Sequence, residues 1–345
     1  MKILNIFQQL GFKRRSLLVV LLSLSILSCG SEVIVVSGIT GTGIVVGTIT
    51  GFGSIIVNGV HYNIDNASID ANGVAFSNLS KTEQQQVLAV GMVVRLKATD
   101  NGDGTGDAES VVYDASIKGP VLEIPVTQTD PNLKVITVLG QQIEINALTT
   151  SFKDFVGNGF DVIAQNDIVE VSGYIDQSGN IKATLVKKED DFQPGENTEV
   201  ELHGVISDLD LTAGSFTLKN LNVEYDSSTE FKDGLQLADG LQVEVKGLYQ
   251  GSTTVVAEKI EADDSEKEEI ENAKGEVKLQ GLVVNLNTAA LTFELNGVTV
   301  DYSQVAASAA GLVDDAEVEV RGEVSNGVLA ITKLEIDSED SDKDD

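Results

Sequence analysis

The chain has 345 residues, 42% of them hydrophobic but only 5% aromatic, with 33 Gly, four Pro and no Trp. Its 23 Lys and Arg stand against 54 Asp and Glu, a net charge of −31; a surface that acidic repels phosphate backbones and excludes nucleic acid as a partner. One Cys excludes an internal disulfide, and two His, His61 and His203, leave little material for a His-rich metal centre or a catalytic triad.

From the N-terminus, Lys13-Arg14-Arg15 and the apolar stretch Ser16 to Leu27 have the order of a secretion signal, and the stretch is too short to span a bilayer as a helix. Residues 1–28 are read as a signal peptide. The junction Ile26-Leu27-Ser28-Cys29 resembles the lipobox of bacterial lipoproteins, with an aliphatic residue, a small residue and then Cys. That resemblance implies a mature chain starting at Cys29, acylated on its sulfur and its amine, and joined through residues 29–43 to the folded body. Several acyl chains anchor far more firmly than one, because each buried CH₂ adds about 0.8 kcal/mol. Gly30, rather than Asp, after the Cys implies sorting to the outer membrane. Loss of Lys2, Lys13, Arg14 and Arg15 with the signal leaves a mature net charge of about −35.

The body repeats one motif four times. Apolar residues alternate on both sides of a two-residue turn: Ile55/Val57, Asn58-Gly59, Val60/Tyr62; Ile136/Val138, Leu139-Gly140, Gln141/Ile143; Phe216/Leu218, Lys219-Asn220, Leu221/Val223; Phe293/Leu295, Asn296-Gly297, Val298/Val300. Period-two alternation across such a turn predicts a hairpin. Gly59, Gly140, Asn220 and Gly297 share the second turn slot, where a type I′ turn requires positive φ. A second block, beginning at Val94, Val169, Val243 and Val318, recurs at spacings of 75, 74 and 75 residues. A third begins at Ala108, Ala183, Ala257 and Ile331, and each unit opens on an apolar strand at Gly47, Gly119, Gly204 or Gly281. The interval from turn to second block shortens along the chain, from 35 residues to 29, 23 and 21, and in the first unit it holds a two-turn helix within Leu79 to Val87.

About five short strands per unit predict closure into a small barrel, which removes the open edges. The fold class is therefore all-β: four tandem five-stranded barrels resembling the oligonucleotide/oligosaccharide-binding (OB) fold. Their bounds are 44–116, 117–188, 199–262 and 276–337, with an acidic linker at 263–275 and an acidic tail at 338–345. The run Gly41-Thr-Gly-Ile, Gly47-Thr-Ile-Thr-Gly-Phe-Gly-Ser-Ile-Ile-Val-Asn-Gly-Val, Val90-Gly-Met-Val-Val and Ile117-Lys-Gly-Pro-Val resembles the bacterial domain-of-unknown-function 5666 family, best over 41–121. The resemblance implies a secreted β-rich lipoprotein and brings with it neither catalytic residues nor a ligand.

Asp100, Asn101, Asp103 and Asp107 place four oxygen-bearing side chains within eight residues, the one place where a hard cation such as Ca²⁺ could be wrapped. Glycines at 102 and 104 break EF-hand spacing, and the competing reading is a solvated hairpin loop. His61 and His203 read as solvated surface residues, and Phe52 as packing at a Gly-assisted bend. The expected function is a membrane-anchored, non-enzymatic binding or spacer module of the cell envelope without a cofactor. Its partner would be an envelope protein or polysaccharide. The rivals are a Ca²⁺-dependent surface adhesin and an envelope hydrolase working through carboxylates.

Overall fold

The structure is a computed structural model and describes residues 42–125, 130–193, 197–249, 251, 253–263 and 265–337. The signal peptide, Cys29 and the acidic tail lie outside the described residues. The first barrel is built from Thr42–Gly51, Ile55–Val57, Val60–Asn63, Val93–Asp100 and Thr105–Tyr113. Its opening strand pairs antiparallel with the second and fourth, the third runs parallel to the fifth, and the fifth closes on the fourth. That closed path is the OB topology.

The same path is repeated by Ile117–Glu123, Leu133–Val138, Gln141–Asn146, Asp167–Ile175 and Ile181–Asp191. It recurs in Thr198–Asp210, Ser215–Leu218, Leu221–Glu224, Gln242–Tyr249 and Thr254–Ala262. The fourth barrel uses Glu276–Leu282 with its continuation Val284–Asn287, then Thr292–Leu295, Val298–Asp301, Glu317–Ser325 and Val328–Ile336. In all four, a helical turn joins the third strand to the fourth: Lys81–Val87, Gly159–Val162, Lys232–Gly234 and Ser303–Ser308. The first is an α-helix opened by a capping box, in which Ser80 and Glu83 satisfy each other's backbone N–H.

Three hairpin turns have positive φ at both central residues: Asn58 and Gly59, Leu139 and Gly140, Asn296 and Gly297. The third turn differs. Lys219 has φ of 56°, but Asn220 is not left-handed, the sign pattern of type II′ rather than I′. The shared slot expected at Asn220 is thus corrected: a II′ turn lets the second residue keep ordinary dihedrals, so a side chain there meets no strain.

The glycine that opens each unit makes room for the hairpin. A Cβ at Gly47 would stand 2.0 Å from Asn58 Oδ1, one at Gly119 2.5 Å from Leu139 Cδ1, and one at Gly281 2.5 Å from Asn296 Oδ1. The two asparagines then tie the turn to the opening strand, with Nδ2 donating to Val46 O and to Gln280 O. Opposite Ala98, Gly173, Gly247 and Gly322 of the fourth strand the fifth strand carries one extra residue (Glu109, Thr184, Glu258 and Thr332), a bulge in every barrel.

The barrels are not beads on a string. The opening strands of the first and fourth pair in parallel, Ile44 with Val277 through Val46 with Leu279, giving one 13-stranded sheet. The opening strands of the second and third pair at Ile117–Leu202 and Lys118–Glu201, giving a 12-stranded sheet. Cores follow the pairing: the second and third barrels share one apolar cluster, while Ile44 and Val46 of the first strand are buried in the core of the fourth barrel. Within the expected linker at 263–275, the helix Ser265–Glu271 docks on the body. Ile270 is fully buried in the fourth core, and Arg95 of the first barrel reaches Glu269 at 2.8 Å and Glu266 at 3.5 Å. The acidic stretch carries no strand pattern, yet one Ile and two Glu on a helical turn suffice to dock it.

Candidate functional site

The loop expected to wrap a cation spends its oxygens on its own turn. Asp103 Oδ1 accepts from the N–H and hydroxyl of Thr105 at 3.1 and 2.6 Å, and Asn101 Nδ2 donates to Thr105 Oγ1 at 3.1 Å. Asp107 accepts from Asn63 at 3.3 Å, while Asp100 accepts from Gly102 N and forms an ion pair with Lys278 of the fourth barrel. These are Asx-type turn bonds and a barrel-to-barrel contact, and the four side chains do not converge on one point. His61 is exposed on the hairpin, as the alternation predicts, and meets Ser54 Oγ at 3.3 Å. Phe52 packs against the first core beside a shallow groove that includes Asn63, Lys81 and Gln84.

His203 is not a solvated residue. It lies on the opening strand of the third barrel, opposite Glu244, with Glu201 two residues earlier opposite Lys246. Period two puts Glu201 and His203 on one face of the strand and their cross-strand partners beside them. That face is turned toward the segment joining the first and second barrels. His203 Nε2 is 3.1 Å from Ala115 O, and Nδ1 is 3.2 Å from Asp263 Oδ2. Lys246 Nζ meets Glu244 at 2.7 Å, Glu201 at 3.5 Å and the Asn72 carbonyl at 3.4 Å. Next to it, Glu170 of the second barrel accepts from Tyr113 OH and Asn72 Nδ2, both at 3.0 Å. Three barrels therefore meet across a largely buried polar junction.

Electrostatics at the junction follow from this crowding. Burial works against charge on His203, but the carboxylates of Asp263, within hydrogen-bond reach, and of Glu201 beside it outweigh it and push its pKa up to about 10. Burial, then the Glu201 charge, raises Glu244. Burial opposes the charge on Lys246, and Glu201 and Glu244 more than restore it. In the free chain His203 is an imidazolium that donates from both nitrogens. Among the described residues, Glu201, His203 and Glu244 are the group of His, Cys, Asp or Glu whose ligand atoms come together, all within 4.8 Å. In the sequence the signal was present but faint: Glu201-x-His203 and Glu244-x-Lys246 are polar positions that alternate with the apolar Val200, Leu202, Val243 and Val245.

Residues 125–187 and 203–261 each match the family model described as Domain of unknown function (DUF5666). The family model thus matches twice, once in each segment. The matched segments are the second and third barrels, not the run at 41–121 in which the resemblance was expected to be best. The first barrel departs from these two by the inserted hairpin Ser68–Ala71 and Val74–Phe76, and by Ala98 in the bulge slot where the other barrels have Gly. No curated protein matches the chain. Among solved structures, the one titled drosophila Unr CSD456 is similar at 12% identity over 64% of this chain and 97% of that one, with a TM-score of 0.19.

Proposed function

We propose that this chain is a cell-envelope lipoprotein, tethered to the outer membrane through Cys29, whose DUF5666 barrels form a non-enzymatic binding or spacer body. The observation that carries the reading is the continuity of the two sheets across barrel boundaries. A chain of separately hinged domains suits reach and adaptation. Strands hydrogen-bonded from one barrel into the next, with Ile44 and Val46 buried in a neighbour's core, suit a body that holds its shape at a distance from its anchor. The partner is an envelope protein or polysaccharide that tolerates an acidic surface. The carboxylates at the junction are committed to Lys246, His203, Tyr113 and Asn72, which favours this role over hydrolysis. The loop Asp100–Asp107 is occupied with its own backbone, which favours it over Ca²⁺-dependent adhesion.

The anchor is the test. Cys29→Ser should abolish incorporation of labelled fatty acid and move the protein from the detergent phase to the aqueous phase. A variant that still partitions like the wild type would refute the lipoprotein reading.

A further inference from the structure

At the three-barrel junction Glu201 ion-pairs with Lys246 through Oε2 at 3.5 Å, which leaves its other carboxylate oxygen over. Glu201 is 4% exposed, and its Oε1 has no hydrogen-bond donor, facing His203 Nε2 at 3.7 Å. Leaving a buried carboxylate oxygen unmatched is costly, so a partner for it is to be sought. A carboxylate oxygen of Glu244, itself 9% exposed, and a ring nitrogen of His203 lie with it inside 4.8 Å. Ligands bonded to one ion at about 2.0–2.2 Å stand up to about 4 Å apart. Side-chain shifts of about an ångström or less would therefore close the three around a metal.

The ring is already oriented for that task. Nδ1 faces Asp263 Oδ2 at 3.2 Å, the carboxylate–histidine arrangement that fixes a ligating imidazole and aims its other nitrogen. Nε2 then points toward the acids, with the Ala115 carbonyl at 3.1 Å as a further oxygen. Formal charge agrees. Glu201, Glu244 and Asp263 bring three negative charges against two positive ones on imidazolium His203 and Lys246. Replacing the Nε2 proton by a divalent ion makes these five groups neutral together. The His203 side chain is 18% exposed, which leaves a way in.

We propose that Glu201, His203 and Glu244 bind a divalent transition-metal ion, positioned by Asp263, on the face of the third barrel that packs against the segment joining the first two. One imidazole with carboxylates is a donor set for Zn²⁺ rather than for Ca²⁺ or Mg²⁺, which take oxygen alone. The site differs from the Asp100–Asp107 loop in place, in donors and in ion.

The test uses the full chain, stripped with chelator and titrated calorimetrically with Zn²⁺ in excess Mg²⁺, so that surface acids are already occupied. A single Zn²⁺ per chain is expected. Glu201→Gln and His203→Gln should each weaken it about tenfold or more, and Asp263→Asn, which acts only through His203, by a similar factor. Co²⁺ gives an independent reading: its absorption should show nitrogen ligation in the wild type and lose it in His203→Gln. Absence of stoichiometric Zn²⁺ binding, or equal affinity in a folded Glu201→Gln chain, overturns the proposal. If that variant does not fold, the wild-type Co²⁺ spectrum decides, and an all-oxygen spectrum overturns it.

Discussion

At the scale of single residues, the hairpin turns and His203 make opposite kinds of prediction. Gly297 has φ of 74°, where a β-branched side chain costs about 1–2 kcal/mol. Gly297→Val should lower the melting temperature of the full chain. Asn220 does not share that conformation, so Asn220→Gly should bring no gain and should cost about 0.4–1 kcal/mol by loosening the unfolded chain. Equal tolerance of Val at 297 and at Thr299 would refute the turn geometry. For His203, the folded pKa of about 10 lies above the ordinary 6.5. Its proton therefore stabilises the metal-free fold fully below pH 6.5, and that contribution fades as pH rises toward 10. It is on the order of a few kcal/mol. Chelated wild type should lose stability over that window, and His203→Gln should lose much less; parallel denaturation curves across the window would contradict the ion-pair account.

At the scale of elements, the bulge and the glycine–turn contact are repeated devices with different tolerance. A Cβ on Gly173 would sit 2.2 Å from the Lys182 carbonyl, a backbone atom that the ladder holds in place. A Cβ on Gly47 would strike Asn58 Oδ1, the end of a side chain that can swing away at the loss of its bond to Val46 O. Gly173→Ala should therefore cost about 1–3 kcal/mol or more, and Gly47→Ala nearer the 0.5–1.5 kcal/mol of one hydrogen bond. Adding Asn58→Gly should recover part of the second loss and none of the first. Denaturant midpoints decide it, and the reverse ranking would show that the bulge has slack.

At the scale of the whole molecule, stability is expected to be shared between barrels distant in sequence. Deleting residues 265–345 uncovers Ile44 and Val46 and removes the parallel partner of the opening strand. It also deprives Asp100 and Arg95 of their ion-pair partners. Each buried aliphatic side chain contributes about 1.5–3 kcal/mol, and an unpaired edge strand invites association. The truncated chain should melt earlier in its first barrel and self-associate on a sizing column. A monomer with an unchanged transition would mean that the shared sheet adds nothing to stability.

What the sequence determined by itself was local. Alternation about Asn58-Gly59 and its counterparts, the 74- and 75-residue spacings and the glycine slots specify hairpins, repeats and small closed barrels, because those depend on dihedrals and side-chain period within some seventy residues. The bulge slot at Gly173, Gly247 and Gly322 was visible as a residue type, though not as a slip of register. Which barrel pairs with which was not legible: Ile44 and Val277 are ordinary strand residues, and only the closed shape of each barrel decides which strand edges and faces remain to be shared. The same holds for the junction. Glu201, His203, Glu244 and Asp263 come from three separate stretches, and in the sequence each is one acid or one histidine among many. The third barrel brings the four onto one face, and packing against Ala115 and Asn72 excludes water, turning surface-type residues into a buried charge cluster with an oxygen to spare.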